Sequence, residues 1–115
     1  MTLATRVTER NGCALVAVDG ELDLSTAEQL EEALGPAIHD ATGPIVLDVA
    51  ALRFCDSAGL AVLVRTHNQL SDQGRRLVIA GPSGPVLRVL ELSGLNQVIA
   101  TATNSDDACG IAVSD

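Results

Sequence analysis

The stretch Leu52-Arg53-Phe54-Cys55-Asp56-Ser57-Ala58-Gly59-Leu60 decides how this chain is read. It follows the β-branched run Ile45-Val46-Leu47-Asp48-Val49 and leads into an apolar segment from Leu60 to Leu70. That pattern is a strand over 45–49, a tight loop and a helix. Asp56, Ser57 and Gly59 fall where the loop becomes the helix. Serine is a preferred N-cap, so Ser57 is expected to cap this helix, and removal of its hydroxyl to cost about 1 kcal/mol. A hydroxyl there lies near unpaired backbone N–H groups and the positive end of the helix dipole. Such a place favours an anion, including a phosphate carried by the serine itself.

Upstream, Leu3 to Val7 reads as a first strand and Asn11-Gly12 as a hairpin turn. Cys13 to Asp19 reads as a second, largely buried strand, and Gly20-Glu21-Leu22-Asp23 as a loop. Ser25-Thr26-Ala27-Glu28 matches a capping box, in which the Ser25 oxygen accepts from the third helical N–H and Glu28 reaches back to the cap N–H. Ala27, Leu30, Leu34 and Ile38 then recur at helical spacing, with Glu28, Glu31 and Glu32 off that face. The helix is expected to run to about His39, with Pro36 as a kink or an early stop.

Downstream, Gly74 is expected to end the helix that begins at Ser57. Leu77-Val78-Ile79-Ala80 reads as a fourth strand. Gly81-Pro82-Ser83-Gly84-Pro85 leads into a helix with Val86, Val89 and Leu90 inward and Gly94 as its stop. Val98-Ile99-Ala100 reads as a last short strand, and 106–113 as a short helix with Ala108 and Ile111 or Ala112 inward. The order β-β-α-β-α-β-α-β-α predicts an α/β fold. It is a mixed sheet of four to five strands covered by about four helices, in one domain over 1–115.

Composition narrows the function classes. The 115 residues suffice for one domain with one core. Residues are 47% hydrophobic, yet Phe54 is the sole aromatic, so the core must be Val, Leu, Ile and Ala. That argues against base-stacking platforms and aromatic sugar clefts. The net charge is −8 and lysine is absent. Such a chain repels nucleic acid and anionic membranes and suits a basic protein partner. Cys13, Cys55 and Cys109 form no CxxC pair, and their odd count fits buried thiols in a reducing compartment. The first ten residues hold no signal-like apolar run, and no segment approaches the roughly 20 residues of a membrane span. The expected location is the cytoplasm.

Residue spacing bears on three other chemistries. Cys55-Asp56-Ser57-Ala58-Gly59 imitates a hydrolase nucleophile elbow with Cys in place of the first Gly. The only downstream histidine is His67, ten residues along the same helix and about 15 Å away at 1.5 Å per residue. No acid lies between them, so no catalytic residue is expected. His39 and His67 lack ligand-spaced neighbours, which gives no metal site. The loop 81–85 is glycine-rich but lacks the lysine of a phosphate-binding loop, and no cofactor is expected.

Four features occur together in order: Gly20-Glu21-Leu22-Asp23, Val46-Leu47-Asp48-Val49, Phe54-Cys55-Asp56-Ser57-Ala58-Gly59-Leu60 and Leu92-Ser93-Gly94-Leu95. Over nearly its whole length the chain resembles a STAS domain of the bacterial anti-sigma factor antagonist type. The resemblance implies a partner-switching role. The unmodified protein binds an anti-sigma factor that is also a serine kinase, and a sigma factor is released. By the same resemblance, the kinase is expected to phosphorylate Ser57 and a metal-dependent serine phosphatase to restore it. The resemblance also sets the Gly20–Asp23 loop beside the Ser57 loop, making Asp23, Asp56, Ser57 and Gly59 the candidate partner-binding residues. The family often carries a second hydroxyl residue before the glycine, where this chain has Ala58. The expected state is a monomer or weak dimer. Two alternatives stand beside this reading: a structural STAS subunit of a larger signalling complex, and a ligand-binding STAS module.

Overall fold

The computed structural model describes residues 2–114. The chain begins with a hairpin of β1 (Leu3–Arg10) and β2 (Cys13–Leu22), paired antiparallel. Asn11 and Gly12 turn it with φ of 52° and 84°, the positive pair that a two-residue turn of matching twist requires. Helix α1 (Ala27–His39), strand β3 (Ile45–Cys55), helix α2 (Ser57–Asp72) and strand β4 (Leu77–Ala80) follow. Then come helix α3 (Gly84–Ser93), a 3-10 turn at Leu95–Gln97, strand β5 (Ala100–Ala102) and helix α4 (Ser105–Val113). The sheet order is β1-β2-β3-β4-β5, with every pair after the hairpin parallel. The mixed α/β architecture and element order are those the sequence predicts.

Strand alternation sorts the core onto two faces. Val16, Val18, Ile45, Leu47, Leu77 and Ile79 meet α1, α2 and α3 through Leu30, Leu34, Val62, Leu70, Val86 and Leu90. The alternate residues Cys13, Leu15, Val46 and Val78 meet α4 through Ala108, Cys109 and Ala112. Each side is closed by aliphatic packing alone, as a chain with one aromatic requires. Beyond the reach of α4, a groove of about 310 Å³ is lined by Ala4, Arg6, Ala17, Asp19, Asp48 and Ala50.

Several boundaries differ from the sequence reading, each for a local reason. The Gly20–Leu22 segment is strand rather than loop, because it pairs with Leu52, Phe54 and Cys55. Strand β3 does not stop at Val49 but runs to Cys55. It carries an extra residue against β2 between Asp48 and Ala51 and another between Leu52 and Phe54. These bulges break the alternation, leaving Arg53 and Phe54 both exposed and returning Cys55 to the core. The last strand lies two residues later than expected, and Val98 is exposed. Pro36 neither breaks nor ends α1; it sits on the exposed face, and its carbonyl accepts from Asp40 N.

Arg75 locks the end of α1 to the start of β3 and β4. Its guanidinium donates to the carbonyls of Ile38 and Ala37 at 2.7 Å each, and to Gly43 O at 2.9 Å. Three carbonyls around one planar fork suit arginine and not lysine. Arg75→Lys should therefore lose about 1–3 kcal/mol of stability, seen as a lower denaturation midpoint with an unchanged denaturant slope.

Candidate functional site

The site is built where β3 ends. Asp56 leaves the strand with its N–H donating to Leu22 O at 3.1 Å, so β2 still holds the chain as it turns. Its side chain then caps α2. One carboxylate oxygen, Oδ1, accepts from Ala58 N at 2.9 Å and from Gly59 N at 3.1 Å. The other, Oδ2, accepts from Leu24 N at 3.3 Å. Asp56, and not Ser57, is the N-cap, and Ser57 is the first helical residue. Asp and Ser are nearly equal as caps, so adjacent candidates are not ranked by type. The bonding of Asp56 to Leu22 settles the position.

Ser57 is exposed, and no hydrogen bond among the described residues engages its hydroxyl. Its hydroxyl therefore contributes no cap, and Ser57→Ala should be close to neutral for stability. The two helix amides that a phosphate would seek are already taken by Asp56.

Asp23 is buried, at 7% exposure, and is not a solvated loop acid. Its Oδ1 accepts from Ser25 N at 2.8 Å, Ser25 Oγ at 2.6 Å and Thr26 N at 3.2 Å. Its carbonyl accepts from Ala27 N at 2.8 Å. The expected capping box at Ser25 does not form, because the Ser25 hydroxyl is spent on Asp23. Thr26 takes the cap position without a side-chain bond of its own to the helix. Thr26 Oγ1 instead donates to Glu21 O at 2.8 Å. The Ser25 hydroxyl, and then the Ser25 and Thr26 amides, hold the Asp23 carboxyl below its ordinary value of 3.8.

Gly59 is buried rather than presented at the surface. A β-carbon there would stand 2.6 Å from Leu22 Cγ and 2.8 Å from Cys55 Sγ. Its role is to let the first turn of α2 lie against the β2–β3 ends. Burial, and then the Asp56 charge, push the Cys55 thiol up to about 11. Cys13, raised to about 12 by burial and by Cys109, is equally far from a reactive thiolate. All three cysteines are free and buried.

The structure thus brings together the four sequence-predicted residues, Asp23, Asp56, Ser57 and Gly59, with Ser57 alone fully at the surface. The sequence reading does not single out Leu24. It is 82% exposed, and its amide is one of the three that donate to the Asp56 carboxylate. Its signal in the sequence was an isolated leucine inside a run of turn and cap formers, Asp23-Leu24-Ser25-Thr26. Arg53 bridges Asp19 at 3.3 Å and Glu21 at 2.5 Å beside the site, all on exposed or half-exposed side chains. Glu31 of the acidic α1 face pairs with Arg65 of α2 at 3.0 Å. His67 lies on α2 itself, ten residues beyond Ser57. Among the described residues no group of three or more His, Cys, Asp and Glu is placed to hold a metal, and no helix is long and apolar enough to cross a membrane.

Comparison with known proteins agrees with this fold. The family described as Mlab, STAS domain, matches residues 5–101. The chain belongs to the STAS domain family. The anti-sigma-F factor antagonist RsfB of Mycobacterium tuberculosis is 32% identical over 107 residues, 93% of this chain and 87% of RsfB. An anti-sigma-B factor antagonist of Staphylococcus aureus is 33% identical over 99 residues, 86% of this chain and 92% of that protein. The crystal structure of an anti-sigma factor antagonist from Mycobacterium paratuberculosis superposes with a TM-score of 0.90 at 28% identity, covering 98% of this chain and 96% of that one.

Two outcomes follow for this STAS domain. Gly59→Ala should destabilise it by about 1–3 kcal/mol, since Leu22 and Cys55 must both give way; urea denaturation measures this. A carboxyl held below its ordinary value stabilises the fold while ionised. Asp23 therefore contributes stability above pH 3.8, and that contribution is lost as pH falls through its lower folded value. Asp23→Asn keeps an acceptor oxygen without the charge. Its melting temperature should lie below that of the wild type at neutral pH, with the gap narrowing in acid.

Proposed function

We propose that this chain is an anti-sigma factor antagonist that binds an anti-sigma serine kinase through the surface around Ser57, and that phosphorylation of Ser57 ends the complex. The observation that carries this reading is the exposed, unengaged Ser57 hydroxyl at the first position of α2, on a loop that Asp56 holds rigid. A kinase can reach this hydroxyl without unfolding anything. The antagonist names of the relatives, at about a third identity over most of the chain, support the general role. The antagonist itself does no chemistry in this scheme, and a separate serine phosphatase returns it to the binding state in the cytoplasm.

The physical basis of switching is local. Phosphorylation adds about −1.5 to −2 charge and three acceptor oxygens. Direct repulsion between that charge and Asp56 is present in the free and the bound protein alike, so it weakens binding only through what it does to the shape of the free surface. The loss comes from burying an unpaired dianion against the partner, which costs several kcal/mol, and each 1.4 kcal/mol is about tenfold in affinity. No refolding of the domain is needed.

A pull-down from the protein's own cells, with unmodified and phosphorylated chain, identifies the kinase; titration then measures affinity. Ser57→Ala should fold as the wild type does and bind constitutively. Ser57→Asp should fold equally well, since a carboxylate in the first turn suits the helix dipole, and bind at least tenfold more weakly. Wild-type affinity for Ser57→Asp, together with no labelling of Ser57 by the kinase, would rule out the switch.

A further inference from the structure

Leu24 is the most exposed large apolar side chain among the described residues. Single exposed leucines are common and by themselves mean little. What separates this one is how firmly its backbone is fixed. On one side Asp23 is buried and anchors Ser25 and Thr26 through its carboxylate. On the other, the Leu24 amide donates to Asp56 Oδ2 at 3.3 Å, across from the start of α2. The loop tip is thus bonded to the residue immediately before Ser57. An apolar group presented on a rigid backbone loses little freedom when a partner covers it, so most of its burial appears as affinity. Of the other exposed apolar residues, Phe54 lies three residues before Ser57 and is held by the β2–β3 pairing, but it is 40% exposed against 82% for Leu24, and no hydrogen bond among the described residues ties Leu92 or Val98 to the Ser57 loop.

We infer that Leu24 is the apolar anchor by which this chain selects its anti-sigma factor, and that Asp56 is the positioning residue that holds Leu24 in place. The inference rests on the proposed function and adds to it the partner's chemistry: an apolar pocket beside the group that receives the Ser57 hydroxyl. It also joins the anchor to the switch. Asp56 uses one carboxylate for the Ala58 and Gly59 amides and for Leu24. A phosphate on Ser57 repels that carboxylate and competes for the same helix amides. Modification therefore loosens the residue that fixes the anchor.

The test titrates the anti-sigma factor recovered with this chain against wild type, the phosphoprotein, Leu24→Ala, Leu24→Met and Leu24→Asp. Leu24 is exposed, so all three variants should keep the wild-type melting temperature. Leu24→Ala should weaken binding by about tenfold or more, Leu24→Met by less than about threefold, and Leu24→Asp by the most. A second measurement needs no partner. Amide hydrogen exchange at Leu24 should be slowed in the wild type, and faster in the phosphoprotein and in folded Asp56→Ala. If phosphorylation leaves affinity unchanged, the proposed function fails. If phosphorylation abolishes binding while Leu24→Ala and Leu24→Asp bind as the wild type does, the switch stands and the anchor is overturned. If the Leu24 amide exchanges equally fast in the wild type and Asp56→Ala, the positioning role of Asp56 is overturned.

Discussion

Beyond Asp48, strand β3 has among the described residues a single hydrogen-bonded strand neighbour, β2, and the whole candidate site depends on that pairing. It carries Leu22 and Cys55 side by side into the last turn of the sheet. Leu22 O then takes the Asp56 amide, and Leu22 and Cys55 receive Gly59. The start of α2 is thus fixed by strand register rather than by helix propensity. A slip of one residue in β3 would send Cys55 outward and leave Asp56 without its bond to β2. Each bulge shifts the alternation of β3 by one residue, so that Leu52 faces inward between them and the pair together returns Cys55 to the face of Ile45, Leu47 and Val49.

Two carboxylates finish the arrangement in opposite ways. Asp23 is turned inward and spends itself on its own loop, so it shapes the surface without forming it. Asp56 is half-buried and divides its bonds between two loops that are far apart in sequence. A single charged group that ties together separate segments is a natural point of control, because one added charge nearby disturbs both at once. Aliphatic packing behind these loops supplies the rigid support they need. Arg65 with Glu31, and Arg75 with the end of α1, hold the helices in register behind it.

Much of this was legible in the sequence. Strand β4, the start and length of α2, the Asn11-Gly12 turn and the order of elements follow from periodicity and turn chemistry. The second half of β3 was not legible, because Ala50 to Cys55 lacks alternation, and the pairing that makes it a strand is with distant residues. The cap of α2 falls on Asp56 rather than on Ser57, and residue type does not separate these neighbours of nearly equal propensity. The capping box at Ser25 was a correct local pattern overridden by a buried carboxylate two residues earlier. Burial of Asp23 and Gly59 was hidden for the same reason: residue type says what a position prefers, and only the fold says which side of the surface it occupies. Leu24 was passed over because a lone apolar residue in a loop has no periodicity to register.

The aliphatic core has an optical corollary. With Phe54 as the sole aromatic and neither tryptophan nor tyrosine, this domain is nearly dark in the near ultraviolet. Emission from any tryptophan in a mixture then belongs to whatever has been added, and a change in that emission reports the partner's side of the contact without correction. The converse also holds. A tryptophan placed at an exposed position of this chain would be a solitary reporter, read against no intrinsic background.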